Sequence, residues 1–437
     1  MNDVYRNYRP LIFLVCQFLL WGTLLTLAGT AAAVPATIPV APPATAITVS
    51  TRPALTWTAV ENAVFYEVEF LSEPPEVAGG MNASAYQIWR SERIFTAGFC
   101  PDLDDLPYNH FFWRVQAYDL DANPLSAYSE AQEIQVDRQR REVVKPLLTT
   151  AYSRSAAPLY PVYSWIPVAG AWQYELEILS APPENPNGSE PSRYRITALV
   201  IRGFSYYDSL PRPATGTYYW RVRGLDGIGC PIGVFSDAEK ITSLSRSSSS
   251  TATFGDSLTH GGGALSHSPA EPEYSYQTYL DFPTLNLGHS GDTTADLLRR
   301  FSRDVLPFTP RVLLILGGTN DLRSGASPQS VINNLSILRD LCLARGIRPV
   351  FLTIPPLNPA SIQRTIQADT TPDWKKNFQL VNEFLRRQRY CIDIAPALTD
   401  GQGELPAEFS TDGLHPDIAG KRRMAAVINT IWPQIAK

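Results

Sequence analysis

One unit of sequence occurs twice in the first half of the chain, and this repeat limits the fold more than any other feature. The segment LTWTAVENAVFYEVEFLSEPPE, which begins at Leu55, aligns with YSWIPVAGAWQYELEILSAPPE, which begins at Tyr163. Trp57 therefore matches Trp165, which lies 108 positions later (165 − 57). Two later segments, FFWRVQAYDL and YYWRVRGLDG, match in the same order. A repeat of this length has the size of a small domain, so we expect two copies of one domain.

Each copy of the repeat alternates apolar and polar residues with a period of two. The runs YEVEF, from Tyr66, and YELEI, from Tyr174, show this alternation between turns rich in proline and glycine. Such a period is typical of half-buried β-strands. The tryptophan on an early strand and the Trp-Arg-Val strand near the end resemble those of fibronectin type III-like domains. The resemblance implies two all-β sandwiches, over residues 45–137 and 150–243, and carries no binding site with it.

The N-terminus has the features of an export signal. Arg6 and Arg9 precede an apolar run over residues 11–28, and Ala31 and Ala33 form a small-residue cleavage site. We expect residues 1–33 to be a signal peptide, with an uncleaved anchor as the alternative because the run is long. Either form predicts an exported protein that is periplasmic, at the cell surface or secreted. Only an uncleaved segment would hold the chain to a membrane.

The composition argues against a nucleic-acid partner and against a disulfide-rich scaffold. The 437 residues carry a formal net charge of −5 with no run of lysines or arginines, so we expect no nucleic-acid partner. The cysteines that follow the signal are widely spaced, unlike those of a disulfide-rich scaffold. We predict free, buried thiols at Cys100, Cys230, Cys342 and Cys391.

A serine-rich stretch divides the repeats from a segment of different character. The stretch SLSRSSSS has few side chains that can pack, so we interpret residues 244–250 as a linker. Beyond it, the apolar runs PRVLLILGG and RPVFLTIPP flank a helical segment, which indicates buried strands of a parallel sheet. We therefore predict an α/β domain over residues 251–437. A fragment that begins near Ser243 should fold alone and keep the activity of the whole chain.

Polar, glycine-containing clusters follow the predicted strands of this domain. Ser257 lies in Gly-Asp-Ser-Leu after TATF, Gly291 in Ser-Gly-Asp-Thr-Thr after TLNL, and Asn320 in Gly-Thr-Asn-Asp after VLLIL. Near the C-terminus, Asp412 and His415 lie three residues apart at a turn before a predicted helix. Since sites in α/β sheets form at the carboxyl ends of the strands, we expect these clusters to meet.

These residue types supply the parts that acyl transfer needs. A serine hydroxyl is a weak nucleophile until a positioned base takes its proton, and a histidine base needs an acceptor on its other ring nitrogen. A glycine N–H and an asparagine NH2 are suitable donors to the oxyanion that forms when an ester carbonyl is attacked. An isolated Gly-Asp-Ser is more often an ordinary turn, so the hypothesis rests on the whole set.

The four clusters, taken in order, resemble the four blocks of the GDSL/SGNH hydrolase family. The resemblance implies a three-layer α/β/α domain of flavodoxin-like topology that hydrolyses esters without a metal or a cofactor. It implies that Ser257 is the nucleophile, His415 the base and Asp412 the residue that orients the base. Gly291 and Asn320 would then be the oxyanion donors. The first strand, STATF, is shorter and more polar than is usual in the family, which leaves its start open.

Other polar residues near these clusters are expected to have structural roles. Three histidines lie in predicted loops: His260, His267 and His289. Their spacing is not that of metal ligands, so we expect them to be solvated. The aspartates within the glycine clusters are expected to fix turns: Asp256, Asp292 and Asp321.

The sequence leaves the alcohol and acyl parts of the ester substrate open. Export and β domains suit work on an acylated polysaccharide, so a small acyl group such as acetyl on a glycan is our expectation, by association. Two alternatives stay open. The first alternative to an esterase is an acyltransferase that passes the acyl group from Ser257 to a sugar hydroxyl. The second is a surface binding or adhesion protein with a vestigial hydrolase domain. An ester assay tests the second alternative, and product analysis with a glycan acceptor tests the first.

Overall fold

The computed structural model describes residues 39, 48–140, 143–149, 157–212, 217–242 and 250–435. The predicted signal peptide or anchor, residues 1–33, lies outside these residues, as does all of the predicted linker except Ser250. Within the described part of the chain, no helix is long and apolar enough to cross a membrane.

The first β domain, residues 48–137, contains two sheets. Its strands are β1 (Thr48–Val49), β2 (Leu55–Thr56), β3 (Phe65–Leu71), β4 (Gln87–Arg90), β5 (Gly98–Phe99), β6 (His110–Tyr118) and β7 (Gln132–Val136). The larger sheet has the order β1-β7-β6-β3-β4, and the smaller sheet pairs β2 with β5. β1 runs parallel to β7, whereas the other neighbours are antiparallel.

The second β domain, residues 157–242, repeats the central part of this arrangement. Its strands are β8 (Val162–Ser164), β9 (Gln173–Leu179), β10 (Arg195–Ile201), β11 (Ser205–Tyr207), β12 (Thr217–Leu225), β13 (Pro231–Ile232) and β14 (Glu239–Thr242). The order is β10-β9-β12-β13, with β14 also on β12 and a separate β11-β8 pair. The antiparallel pair β9-β12 corresponds to β3-β6. The sequence repeat is therefore a duplicated β domain, and its fibronectin type III-like identity stays a prediction.

Each β domain has a buried ion pair between its two central strands, at equivalent positions. Glu69 on β3 accepts from Arg114 on β6 at 2.6 Å, and Glu177 on β9 accepts from Arg221 on β12 at 2.5 Å. All four side chains are at most 2% exposed. Removing one partner of such a pair leaves an uncompensated buried charge, which typically costs about 3–5 kcal/mol. Glu69 and Glu177, at equivalent alternating positions, are thus part of the core and not of a solvated face.

The C-terminal domain, residues 250–435, has a five-stranded parallel sheet with the order β16-β15-β17-β18-β19. The strands are β15 (Thr251–Gly255), β16 (Leu285–Asn286), β17 (Val312–Leu316), β18 (Arg348–Leu352) and β19 (Cys391–Ile392). The helices are α1 (Ser257–His260), α2 (Thr294–Asp304), α3 (Thr319–Arg323), α4 (Pro328–Leu343), α5 (Pro359–Ile366), α6 (Trp374–Arg386) and α7 (Ile418–Ile435). Short 3₁₀ turns lie at Pro272–Tyr274, Tyr276–Tyr279, Leu306–Phe308 and Ala395–Leu398.

Helices cover both faces of this sheet. On β17, Leu313 and Ile315 belong to the apolar cluster formed with α2, α4 and α6, whereas Leu314 and Leu316 belong to the cluster formed with α7. Strands buried on both faces explain why these segments are continuously apolar. Numbered within the domain, the strand order is 2-1-3-4-5, which is the flavodoxin-like order. The predicted α/β domain is confirmed.

The polar first strand, β15, lies at an interior position of the sheet. Every residue of β15 is buried. Thr253 donates to the carbonyl of Leu285 at 3.3 Å and accepts from Gln277 at 3.0 Å. Because its hydroxyl is satisfied, a threonine can occupy this position without an unpaired buried polar group.

The second β domain packs into the core of the C-terminal domain. Leu159 and Tyr160 are each 1% exposed and share one apolar cluster with Phe254 and Leu297. The N–H of Leu159 also donates to the carbonyl of Asn286 on the edge strand β16, at 2.9 Å. These contacts cross the predicted domain boundary, and they argue against the expectation that the C-terminal fragment works alone.

The described cysteines are free thiols. Cys100 and Cys342 are buried and Cys391 is half-buried, whereas Cys230 is exposed. The prediction of a buried thiol is therefore wrong for Cys230, which lies in a turn before the two-residue strand β13. Cys100 of the first β domain packs within the apolar cluster of the second, which indicates that these two domains also share an interface.

Candidate active site

Ser257 is the first residue of α1 and lies two residues after Gly255, which ends β15 at a position where only glycine fits. A Cβ on Gly255 would lie 2.1 Å from the carbonyl oxygen of Leu316, so the close approach of β15 to β17 requires glycine. Asp256 caps α1 by accepting from the N–H of Leu258 at 3.0 Å. Ser257 is thereby held at the carboxyl end of β15, and its residue is 7% exposed.

His415 and Asp412 lie beside this serine. Nε2 of His415 is 3.0 Å from Oγ of Ser257, and Nδ1 of His415 is 2.8 Å from Oδ2 of Asp412. The other carboxylate oxygen of Asp412 accepts from the N–H of His415 at 2.7 Å and from that of Leu414 at 2.8 Å. The three side chains are thus connected in the order that a serine nucleophile, a base and an orienting acid require.

The surroundings of Asp412 keep it ionised. Burial raises the pKa of this carboxyl, but His415 and the backbone N–H donors lower it by more than burial raises it. The pKa therefore lies below its ordinary value. An ionised carboxylate can only accept, so Nδ1 of His415 carries a proton. In the neutral ring Nε2 is then unprotonated, which is the form that can take a proton from Ser257.

Gly291 lies in the turn before α2 and Asn320 in α3, and these two segments are hydrogen-bonded to each other. Nδ2 of Asn320, in α3, donates to the carbonyl of Asp292 at 2.9 Å, which leaves the second N–H of the amide available. Gly291 has φ of +88°, a conformation that a side chain would strain, and a Cβ there would meet nothing within 4 Å. Its backbone, not a packing contact, is the reason for glycine at this position.

Arg300 on α2 joins the first two clusters, and the sequence analysis did not identify it. The buried guanidinium donates to Asp292, to the carbonyl of Leu287 at 2.7 Å and to that of Gly255 at 2.9 Å. The same group lies 4.2 Å from the ring centroid of Phe254. Arginine on an amphipathic helix is common, so the sequence contains no signal for this role.

The aspartates of the glycine clusters fix turns, as predicted. Asp256 caps α1, Asp292 accepts from Arg300, and Asp321 accepts from the N–H and the hydroxyl of Thr294 at the start of α2. Complete burial raises the pKa of Asp256 to about 7. These carboxylates connect the clusters to one another.

Asp417 and Lys421 connect the C-terminal segment that carries His415 to α1 and to the loop that follows it. The sequence did not lead us to predict this role. Asp417 accepts from the N–H of Thr411 at 2.7 Å and from that of Ala264 at 3.3 Å. Lys421 is fully buried and donates to the carbonyl of Leu258 at 3.3 Å. Burial lowers the pKa of Lys421 to about 8. Lys421 lies on the apolar face of α7, between Ile418 and Ala425, and this position in the sequence indicates that the lysine is buried.

The prediction of solvated loop histidines is wrong for His260 and His267. His260 is 2% exposed and the side chain of His267 is 7% exposed, whereas that of His289 is 31% exposed. Burial lowers the pKa of His260 to about 3. For His267, burial lowers the pKa, but Glu271, Asp417 and the carbonyl of Ala63 together raise it more, so the pKa lies above the ordinary value. Sequence spacing could not reveal this burial because it depends on contacts with the β domains.

No group of three or more histidine, cysteine, aspartate or glutamate side chains is placed to hold a metal ion among the described residues. Ser257, His415 and Asp412 form the connected part of the candidate site. The segments of Gly291 and Asn320 are hydrogen-bonded to each other.

Comparison with known proteins identifies the C-terminal domain. Residues 253–423 match the profile of the GDSL-like Lipase/Acylhydrolase family. Esterase TesA of Pseudomonas aeruginosa is 26% identical over 155 residues, which cover 36% of this chain and 70% of the esterase.

Solved structures also match the C-terminal part of the chain in part. A lipase/acylhydrolase from Enterococcus faecalis is 22% identical, with 42% of this chain and 96% of that chain covered and a TM-score of 0.34. A GDSL-like lipase from Bacteroides thetaiotaomicron is 19% identical, with 42% and 88% covered and a TM-score of 0.34. The family match and the esterase relative indicate that the C-terminal part of the chain is a GDSL-like carboxylic ester hydrolase domain.

Proposed function

We propose that this ester hydrolase works through an acyl-serine intermediate on Ser257. One observation carries the proposal: Nε2 of His415 lies 3.0 Å from Oγ of Ser257 while Nδ1 lies 2.8 Å from the carboxylate of Asp412. This arrangement pairs a nucleophile with a base and fixes the tautomer of the base. A turn serine with no chemical role would have no need of either partner.

In the first half of the reaction, Oγ of Ser257 attacks the ester carbonyl carbon as Nε2 of His415 takes the hydroxyl proton. The carbonyl π electrons move to oxygen and form a tetrahedral oxyanion. When the carbonyl reforms, the ester C–O bond breaks and His415 gives its proton to the departing alcohol. The acyl group is then bound to Ser257.

The N–H of Ser257, the N–H of Gly291 and the free N–H of the Asn320 amide serve as donors to the oxyanion. Ser257 opens a helix, so its N–H has no partner within that helix. Each donor of this kind can contribute about 3–4 kcal/mol to the stability of the transition state. Asp412 stays ionised and stabilises the imidazolium of His415 as it forms.

In the second half, a water molecule attacks the acyl-serine. His415 takes a proton from this water and returns it to Oγ of Ser257 when the second tetrahedral intermediate collapses. The carboxylic acid leaves and the serine hydroxyl is restored. The cycle consumes one water and one ester and needs no other reactant.

For localisation and substrate, the proposal is that the chain is exported and removes a small acyl group, such as acetyl, from a glycan. The basic and apolar residues of positions 1–33, followed by a small-residue cleavage site, support export. The two β domains ahead of the catalytic domain suit an enzyme that works on a polysaccharide outside the cell. A panel of esters with increasing acyl length, together with acetylated glycans, tests this part.

The test of the mechanism is the Ser257→Ala variant. Turnover of p-nitrophenyl acetate should fall by about 10³-fold or more, because the change removes the nucleophile and little packing. Mass spectrometry of the rapidly quenched wild-type enzyme should show one acetyl group on the peptide that contains Ser257. Full activity in Ser257→Ala, with the fold intact by circular dichroism, would contradict the mechanism.

A further inference from the structure

His260, the last residue of α1, links the second β domain to the turn that carries Gly291. Nε2 of His260 is 2.6 Å from the backbone carbonyl of Tyr160, and Nδ1 is 2.8 Å from Oγ of Ser290. Ser290 directly precedes Gly291 in the chain. The reaction described above makes no use of His260.

The direction of both hydrogen bonds follows from their chemistry. A carbonyl oxygen can only accept, so Nε2 of His260 carries the proton and donates to Tyr160. Burial keeps the ring neutral, which leaves Nδ1 as an acceptor. The hydroxyl of Ser290 therefore donates to Nδ1. Neither bond can be reversed, so the ring holds a single orientation between the two domains.

We propose that the second β domain is part of the catalytic unit, and that His260 is a positioning residue through which the carbonyl of Tyr160 holds the Ser290–Gly291 turn against the nucleophile. The proposal rests on the acyl-serine mechanism, because it assigns Gly291 to the oxyanion. Its physical basis is that a displaced donor loses most of its effect: a misplacement of about 1 Å can cost about 100-fold in rate.

The segment that leads into Ser290, residues 286–289, also lies close to the backbone of His260. A Cβ on Gly288 would lie 2.3 Å from the backbone N of His260, so only glycine fits there. The side chain of Asn286 donates to the carbonyl of His260 at 3.0 Å. The N–H of His289 donates to the carbonyl of Gly255 at 3.0 Å. Movement of His260 would therefore be transmitted to the second cluster.

Tyr160 is itself fixed within the C-terminal domain. Its hydroxyl donates to Asp304 at 2.5 Å and accepts from Arg303. Its ring centroid lies 4.3 Å from that of His289 and 5.7 Å from the guanidinium carbon of Arg300. The carbonyl that His260 contacts thus belongs to a residue whose side chain is buried and hydrogen-bonded, as a fixed support requires.

A second histidine, His267, lies in the loop that follows α1 and provides a matched control. Nε2 of His267 is 2.9 Å from the backbone carbonyl of Ala63 in the first β domain. Its Nδ1 is 3.0 Å from Glu271, a residue of the same loop, and not from the Ser290–Gly291 turn. The two histidines therefore make the same kind of contact to different β domains, but only His260 continues to the catalytic cluster.

The experiment uses the full chain with substitutions that break one link at a time. His260→Gln keeps a donor near the carbonyl of Tyr160 but loses the acceptor for Ser290, whereas His260→Asn keeps that acceptor but no longer reaches Tyr160. Ser290→Ala removes the hydroxyl and Ser290→Thr keeps it. His267→Gln is the control, and Ser257→Ala sets the scale. Each variant is assayed for kcat and KM with p-nitrophenyl acetate, normalised to the folded fraction.

A positioning role predicts a loss in kcat and not in KM. His260→Gln, His260→Asn and Ser290→Ala should each lower kcat by about 10-fold or more, with KM within about threefold of the wild-type value. Ser290→Thr should restore most of kcat, and His267→Gln should stay within about twofold of the wild type. The double variant His260→Gln with Ser290→Ala should be no slower than the slower single variant, since both changes break one link.

Several results would overturn the proposal. Wild-type kcat in His260→Gln and Ser290→Ala, while Ser257→Ala is inactive, would remove the positioning role and leave the mechanism intact. Wild-type kcat in His260→Asn alone would show that the β domain contributes nothing through Tyr160. An equal loss in His267→Gln would show a general effect of the loop. Full activity in Ser257→Ala would remove both the mechanism and the positioning role.

Discussion

The two β domains share an equivalent buried tyrosine–tryptophan pair, yet they meet the catalytic domain differently. In each domain a tyrosine hydroxyl accepts from a backbone N–H six residues earlier: Tyr66 from Val60 at 2.8 Å and Tyr174 from Val168 at 2.9 Å. The same tyrosines pack on Trp57 and on its counterpart Trp165 in the second domain, with ring centroids 5.4 and 5.2 Å apart. This part of the interior is therefore equivalent in the two domains.

The difference lies at one equivalent surface position. Arg52 in the first domain corresponds to Tyr160 in the second, 108 positions later (160 − 52). Arg52 forms an exposed ion pair with Asp102, whereas Tyr160 is 1% exposed within the core of the catalytic domain. The preceding residues, Thr51 and Leu159, each accept a backbone N–H at 2.8 Å, so the two copies share a backbone contact next to this position. A duplicated fold has thus kept its core and changed its surface to create an interface.

The largest expected effect is a difference in how pH acts on the two histidine contacts. The folded-state pKa of His260 is about 3, below its ordinary 6.5, so between these values the unfolded chain binds a proton that the folded chain does not. The free energy of unfolding should therefore fall as pH falls, by up to about 1.4 kcal/mol per pH unit. His260→Gln should lack this contribution. Urea unfolding of both proteins between pH 4 and pH 7 measures the difference.

His267 should show the opposite sign. Burial lowers its folded-state pKa, but Glu271, Asp417 and the carbonyl of Ala63 together raise it above the ordinary value. Its contribution to stability is therefore complete below the ordinary pKa and is lost as pH rises through the folded value. The advantage of the wild type over His267→Gln should shrink in alkaline solution. The comparison between the two contacts fails if both variants change the pH dependence in the same direction.

A smaller effect is expected at the equivalent pair Tyr160 and Arg52. Tyr160→Phe removes a buried hydroxyl that donates to Asp304, which should lower the free energy of unfolding by about 2 kcal/mol, as is typical of hydrogen bonds to charged groups. Arg52→Ala removes an exposed ion pair with Asp102 and should change it by about 0.5 kcal/mol or less. Thermal unfolding compares the two. Equal losses would mean that the interface adds nothing to stability.

The chemistry of the site could be predicted from the sequence because it lies in short local segments. The order of the clusters around Ser257 and Asn320 and the spacing of Asp412 and His415 predicted side chains that the structure does bring together or connect. The α/β domain followed from continuous apolar strands for the same reason. These features depend on neighbours within a few residues.

The supports of the site could not be predicted, because they depend on partners far away in the chain. His260 is 100 residues from Tyr160 and His267 is 204 residues from Ala63, and nothing in a loop sequence shows that another domain covers it. Arg300 looks like an ordinary helical arginine until its buried partners are seen: the carboxylates of Asp292 and Asp304 and the carbonyls of Leu287 and Gly255. For these residues burial, not residue type, determines the role.

The claim that the second β domain belongs to the catalytic unit, and the first does not, is tested most directly by comparing two shortened chains with the full chain. One chain begins at residue 143 and lacks the first β domain, and the other begins at residue 250 and lacks both. With p-nitrophenyl acetate, we predict that the first keeps kcat within about threefold of the full chain and that the second loses about 10-fold or more, per folded molecule. Equal kcat values for the two shortened chains would contradict the claim.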